Sequence, residues 1–501
     1  MPEREHLVIG HTVLGRPIEA MKFAPADYAR PRPTALVFGG IHGDEAASVL
    51  QAERLVEDLL ERPPGRTTWI VPCVNVDGVL AGTKNNAHDV DLNRHFAAKN
   101  WTAVPSKPFG RDLFLDTRYK QTGTRFLVYP QPKFLRGFAR PVTIHVDSTP
   151  GTIGVGPADE RMYVVDARNK RPYSETGRMP PYSGRVLDPA VPNRRGHFDE
   201  IAPDHPTFRS ATVYGTVRCV LDIWEAYLSR RVAWHFRDTY RRLEIIPRTR
   251  HWNAFSMYGY IEFGEGDPSG PLCENFDSVA HEVGHLILKG VIGNPKERLV
   301  ELRAHEEGCA DLVAILSSLH FNEVVDRLLE HTQGRLYASS VVTRIGESVV
   351  DRNAYNNFTI SDVPWDPNPD SYKYALCLPF EGAVFDLLVE LYERRLVARG
   401  MIARGIAEHS THTRGRAVRR LHRVFARAFA RHGDAFKLAL AEARDYLGML
   451  LARTWQMTPM TDFSFAKVVA TMLAADQQLG GRNGPLIRAS FARREILPMQ
   501  P

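Results

Sequence analysis

The stretch "DSVAHEVGHLILKG" contains three side chains able to hold and use a metal ion: His281, Glu282 and His285. The two histidines are four residues apart, so on an α-helix both imidazoles fall on one face, about one turn from each other. Two neutral imidazoles so placed fill two of the four positions around a tetrahedral Zn²⁺. Glu282 stands beside the first histidine, where a carboxylate can take a proton from a water that such an ion activates. A second helical stretch, "ELRAHEEGCADLVAIL", brings Glu307 22 residues after His285 (307 − 285), room for a loop and a returning helix. Asp311 lies four residues further and on the same face, ready to accept the outer N–H of a ligating histidine. Three protein ligands with one position open describe a catalytic zinc, not a structural one. The plainer reading is an inert helix with two surface histidines, but Glu307 and Asp311 count against it. His305 and Glu306 face elsewhere on the helix, Cys309 reads as a small packed residue, and His320 and His331 read as surface or satisfied histidines.

The elements needed to position these groups are legible in outline. From about residue 275 the pattern is mainly helical. Upstream, "SATVYGTVRCVLDIWEAYLSRR" reads as an amphipathic helix with Val213, Val217, Leu221 and Trp224 on one face. Residues 110–205 hold short β-rich runs ("RFLVYP", "PVTIHVD", "RMYVVDA") broken by Pro and Gly, which predicts a twisted β-layer with long loops. Near the N-terminus, "TALVFGG" and "TTWIVPCVNV" are continuous apolar runs, as in strands buried on both faces, and the helical stretch "EAASVLQAERLVEDLLER" joins them. This is a β-α-β unit. Its first strand runs into "GGIHGDEAASV", where His42 and Glu45 form a second, weaker pair of candidate metal ligands.

Composition adds limits. The chain has 501 residues, 44% hydrophobic and 24% charged, with a net charge of +6; the length suggests about three domains. Arg is scattered along the chain, and the basic run "AVRRLHRVFARAFARHG" reads as a solvated helix face, so no nucleic-acid partner is expected. Five dispersed cysteines without a CxxC argue against a disulfide framework and a thiolate zinc site. With no signal region and no run of roughly 18 apolar residues, the expectation is a cytoplasmic protein without a membrane partner.

The HEVGH segment, with E-x-x-x-D at Glu307 and Asp311, resembles the gluzincin metallopeptidases, thermolysin-like enzymes in particular. The resemblance reaches upstream to "WNAFSMYGYIEFGEGDP" and spans roughly residues 210–390. It implies one Zn²⁺ held by His281, His285 and Glu307, with Glu282 as the proton-transferring base. It also implies an edge strand at Asn253 and Ala254 that binds extended substrate. The family's transition-state-stabilising His has no counterpart in a matching motif; Tyr372 and Tyr374 are candidate O–H donors in its place.

Residues 7–106 resemble the zinc carboxypeptidase superfamily, its murein-peptide amidase-like branch above all, and also share H-G-x-E and D-L-N-R with aspartoacylase-type amidohydrolases. "GHTVLGRPIEAMKF" looks like that branch's opening. His42 and Glu45 match H-x-x-E, and "NVDG" and "DLNRHF" follow in order. The resemblance implies that Asn93 and Arg94 grip a substrate carboxylate and that Lys84 stands where relatives carry a carbonyl-polarising Arg. A third ligand and a general-base Glu are missing from the matching stretch; His145 in "RPVTIHVDS" is the one candidate ligand.

The resulting expectation is a multidomain chain. A partial, carboxypeptidase-like α/β segment (1–106) precedes a β-rich region (107–209), a zinc-helix domain (210–360) and a helical lobe (361–501). The last three form an α+β, thermolysin-like metallopeptidase. The expected function is zinc-dependent peptide hydrolysis at HEVGH on a peptide or protein substrate, with one zinc and a candidate second at His42 and Glu45. The rivals are a carboxypeptidase or amidohydrolase acting through the N-terminal motifs, and a non-catalytic zinc-stabilised binding protein.

Overall fold

The computed structural model describes residues 4–25, 33–94, 122–265, 270–294, 299–338, 340, 344–345, 352–410 and 416–496. The chain divides into two compact units, Met1–Arg111 and Asp112–Pro501. The boundaries expected at 209 and 360 fall inside the second.

The first unit holds β1 (Arg4–His11), β2 (Pro17–Phe23), β3 (Ala35–Phe38), α1 (Ala46–Glu61), β4 (Thr68–Val71) and α2 (Val76–Ala81). The sheet order is β1-β2-β4-β3, with β3 parallel to β4 and the other pairs antiparallel. Helix α1 carries Ala52, Leu55, Val56, Leu59 and Leu60 at helical spacing and packs them with Phe23, Val37 and Ile70. The β-α-β reading therefore holds. The expectation of strands buried on both faces does not hold for β3, since Leu36 and Phe38 are exposed on the face that α1 leaves uncovered.

The second unit begins with a two-stranded sheet, β5 (Thr124–Val128) and β6 (Val142–Val146). Next come β7 (Met162–Val164), the single turn α3 (Tyr173–Thr176), α4 (Phe208–Leu228), β8 (Leu243–Thr249), β9 (Ala254–Ser256) and β10 (Tyr260–Gly264). All three apolar runs of the expected β-layer become strands, but they do not share a sheet. β7 joins a separate sheet of order β7-β8-β10-β9, parallel except for the antiparallel edge strand β9.

Helix α4 departs from its expected one-sided character. It is buried along nearly its whole circumference, including Arg218 and Asp222, which pair with each other at 3.1 Å. The pairing, with Asp147 N–H on Asp222 and Arg218 on Asp147 O, offsets part of the cost of burying the two charges. Gly215 lets α4 approach β5: a Cβ there would lie 2.7 Å from the Phe126 side chain.

The helical part follows: α5 (Phe276–Val291), α6 (Val300–Ser318), α7 (Asn322–Thr332), α8 (Pro369–Ala398), α9 (Arg404–Ser410), α10 (Arg416–Met457), α11 (Phe465–Gln478) and α12 (Gly484–Ala492). Trp455 of α10 stacks on Trp224 of α4 at 4.8 Å. In the first half of α10, Leu421 and Phe425 turn inward while Arg419, Arg420, Arg423 and Arg427 are exposed, the solvated face read from sequence. Among the described residues no single helix is long and apolar enough to cross a membrane.

Helices α5 and α6 pack closely, and Gly284 is the reason. A Cβ on it would lie 2.8 Å from Ala310 Cα and 3.2 Å from the Cβ atoms of Ala310 and Val313. Gly284→Val is expected to cost about 1–3 kcal/mol in urea unfolding by overpacking this crossing. Wild-type stability would rule the close contact out.

A second expectation concerns Glu393, buried in α8. Burial raises its carboxyl from 4.5 to about 8, and Arg335 and Ser410 pull it back only in part. Between those values the folded chain holds a proton that the unfolded chain releases, so stability falls as pH rises through that window. Glu393→Gln, neutral throughout, is expected to remove this contribution when urea midpoints are followed across the same window.

Candidate metal centre

Helix α5 carries three of the centre's residues. Its N-terminus is capped by Asn275, whose side-chain oxygen accepts from Asp277 N at 3.0 Å and Ser278 N at 3.4 Å. His281 and His285 face the same way, their Nε2 atoms 3.2 Å apart. Glu307, on α6, brings its Oε2 to 3.6 Å from His281 Nε2 and 3.9 Å from His285 Nε2. Among the described residues these are the three groups that converge with metal-ligand geometry, their donor atoms all within 4.8 Å of one another.

Their protonation suits a cation. Asp311, fully buried, sits 2.7 Å from His281 Nδ1. A carboxylate there holds the proton on Nδ1 and leaves the Nε2 lone pair turned toward Glu307. Burial pushes the His285 imidazole well below its ordinary pKa; Glu307 opposes this, and His281, Lys289 and Lys373 reinforce it. With the His285 imidazole held neutral and the Glu307 carboxylate beside both Nε2 atoms, the three groups form a donor set that a divalent cation would satisfy. Glu282, the residue after His281, is itself nearly buried.

One member was not singled out from sequence. Lys373, in the second turn of α8, places Nζ 2.6 Å from Glu307 Oε1, the oxygen remote from the histidines. Burial disfavours the ammonium, but Glu307 beside it outweighs this and raises Lys373 above the usual lysine range. One turn away, Arg303 of α6 pairs with Asp370 of α8. Tyr374, the candidate donor, is partly exposed and lies with its ring 4.5 Å from Lys373 Nζ. Tyr372 packs against the hydrophobic core.

The substrate-strand expectation acquires a geometry. Gly264 N donates to Asn253 O at 2.9 Å and Met257 N to Tyr260 O at 3.0 Å. The backbone groups of the alternate residues, Ala254 and Ser256, therefore point away from β10, on the outer side of an edge strand. The Asn253 side-chain oxygen accepts from Ala254 N at 2.9 Å, and α5 packs against this strand. His305 is buried between Phe380 and Phe463, 3.3 Å from Cys309 Sγ. His320 is bonded to the Tyr227 hydroxyl.

In the first unit, His42 Nδ1 faces Glu45 Oε1 at 3.2 Å while Nε2 lies 3.1 Å from Asp91 Oδ1. Asp91 is the first residue of "DLNR", and its buried carboxylate orients His42 as Asp311 orients His281. The motif loops interlock: a Cβ on Gly43 would lie 2.0 Å from the Gly78 carbonyl carbon. Asn75 caps α2 through Gly78 N and reaches Lys84 O at 3.1 Å. Lys84 itself lies 3.5 Å from Asp91 Oδ2, paired and nearly buried rather than presented to a ligand. Asn93 is exposed, with its N–H on Asp91 Oδ1; the Arg94 side chain lies outside the described residues. His145 is in β6, opposite Arg125 on β5, and belongs to the second unit.

Residues 1–117 match the zinc carboxypeptidase family. The match runs past the expected fading point at residue 106. Murein peptide amidase A of Escherichia coli (strain K12) is 40% identical over 100 residues, 20% of this chain and 38% of that protein. Murein peptide amidase A of Vibrio campbellii (strain ATCC BAA-1116) is 34% identical over 102 residues, 19% of this chain and 35% of that protein. The chain thus spans little more than a third of the length of these relatives. A precursor of protealysin, a metalloproteinase from Serratia proteamaculans, superposes with a TM-score of 0.40 at 12% identity, covering 70% of this chain and 90% of that one. A superposition that loose carries no argument about fold or activity. The similarity to known proteins therefore lies with the HGDE segment, while the convergent donor set lies at HEVGH.

Asp311→Asn is expected to weaken Zn²⁺ binding by about 10–100-fold, because His281 loses the carboxylate that fixes its tautomer. Competition against a chromophoric chelator measures it, and unchanged affinity would remove Asp311 from the centre.

Proposed function

We propose that this protein is a zinc-dependent peptide hydrolase working at His281, Glu282, His285 and Glu307. The observation that carries the reading is the convergence of three metal-type donors, with Asp311 behind one of them. When bound, zinc supplies Lewis acidity, polarising a carbonyl and making water acidic enough to attack near neutral pH. His281, His285 and Glu307 would hold it. Glu282 accepts the proton of the attacking water and returns it to the departing amine. An extended peptide adds to the edge strand β9 through the outward-facing Ala254 carbonyl and Ser256 backbone, a recognition mode that is tolerant of side-chain identity. The finer likeness to thermolysin-like gluzincins belongs to this proposal and rests on the HEVGH and E-x-x-x-D residues.

The comparisons favour a second reading. The family match and the amidase relatives concern the N-terminal segment, and they support hydrolysis of murein-type peptides through His42 and Glu45, with Asp91 orienting His42. Among the described residues no third ligand converges on that pair; its completion would need one.

The two readings part on simple variants. Glu282→Gln is expected to retain zinc and to lose about 10²–10⁴-fold in peptide hydrolysis. Glu307→Ala is expected to lose the zinc itself. Wild-type hydrolysis in Glu282→Gln, together with its loss in His42→Ala, would install the second reading in place of the first.

A further inference from the structure

The Glu307 carboxylate is divided between two tasks. Its Oε2 faces both imidazoles, at 3.6 and 3.9 Å, and its Oε1 takes the Lys373 ammonium at 2.6 Å. The lysine and the histidines thus take different oxygens of the same carboxylate. Both partners are largely withdrawn from solvent, with side-chain exposures of 17% for Lys373 and 7% for Glu307. The neighbouring Arg303–Asp370 pair joins the same two helices one turn along.

The charge pattern around the centre is lopsided in an informative way. Asp311 pushes electron density toward the metal position through His281. Lys373 does the reverse through Glu307, sharing the ligand's negative charge before any metal can use it. A fixed cation a few ångströms from a divalent ion also repels it, and an effective dielectric of about 20 does not abolish that repulsion. A group serving only to tighten metal binding would carry no positive charge here.

We propose that Lys373 is a positioning residue of the metal centre: it holds Glu307 to coordination through one oxygen and, as a fixed cation, loosens the metal while strengthening its pull on a substrate carbonyl. The inference rests on the zinc reading above. It gives the centre a cationic residue, neighbour to Tyr374, where sequence had suggested a tyrosine hydroxyl.

The test uses the full chain and Zn²⁺ itself, with chelator competition for affinity and a peptide substrate for turnover. K373M, which keeps the apolar stem, is expected to bind zinc about tenfold more tightly or better, because the repulsion is gone. Its kcat is expected to fall with KM little changed. K373Q, which keeps an N–H donor without the charge, should follow K373M, and K373R should restore both quantities toward wild type. Weaker or unchanged zinc binding in K373M would overturn the inference, leaving the lysine a structural tie. Tighter zinc with unchanged kcat would overturn it too, making the lysine a mere competitor for Glu307. If Glu307→Ala loses no zinc, the zinc reading fails and takes this inference with it, whereas zinc lost there but unmoved by K373M sinks the inference alone.

Discussion

The close crossing of α5 and α6 is the constraint on which the second unit's chemistry depends. His281 and His285 are set by one helix, but Glu307 and Asp311 come from another and must reach them across the interface. A carboxylate two bonds (Asp311) or three bonds (Glu307) from its Cα has little reach, so the helices must nearly touch. Gly284, between the two histidines, and Ala310, next to Asp311, permit this because neither presents bulk at the contact. The residue types between the ligands are therefore part of the site, even though they carry no reactive group. Interior packing is close to that of an organic crystal, so one added methyl group at such a crossing displaces backbone rather than filling space.

Both candidate sites use the same electrostatic device. Each has a histidine with a carboxylate on one nitrogen and a metal-type acceptor on the other: Asp91–His42–Glu45 in the first unit and Asp311–His281–Glu307 in the second. The buried carboxylate fixes how each imidazole is turned, so that its other nitrogen faces the candidate ligands. The two differ in what surrounds that nitrogen. His281 faces a second imidazole and a nearly buried carboxylate, whereas Glu45 is largely exposed, with 64% of its side chain accessible. Desolvated donors have more to gain from a cation, which is why the second arrangement makes the stronger demand for one.

What was legible in sequence was local. The four-residue spacing of His281 and His285, and of Glu307 and Asp311, is a property of a single helix turn, so the faces could be named without tertiary information. The strands at 124–128, 142–146 and 162–164 were likewise visible as apolar runs. Their assignment to sheets was not, because pairing is a long-range choice: each β7 residue pairs with a β8 residue 81 positions on, Met162 with Leu243 (243 − 162). Burial of α4 was misjudged for a related reason. Arg218 and Asp222 look like a solvated stripe until a partner for each is known, and here they are each other's. Lys373 escaped because nothing in "DSYKYALCLP" marks it; its partner is 66 residues away, and attention went to the adjacent tyrosines. On a helix, one residue turns the side chain by about 100°, enough to exchange Tyr374 for Lys373 at the carboxylate.

The sharper issue is what family likeness measures. The N-terminal match spans loops that interlock: Gly43 against Gly78, Asn75 across to Lys84, Asp91 behind His42. Such contacts preserve the loop scaffold whether or not a metal is bound. The Lys84–Asp91 pair illustrates the point, since it ties a cation to the very carboxylate that orients His42. At HEVGH the corresponding tie, Lys373 on Glu307, leaves the second carboxylate oxygen facing the histidines. Where sequence likeness and donor convergence disagree, the convergence bears more directly on chemistry, because it is the arrangement an ion and a substrate would meet.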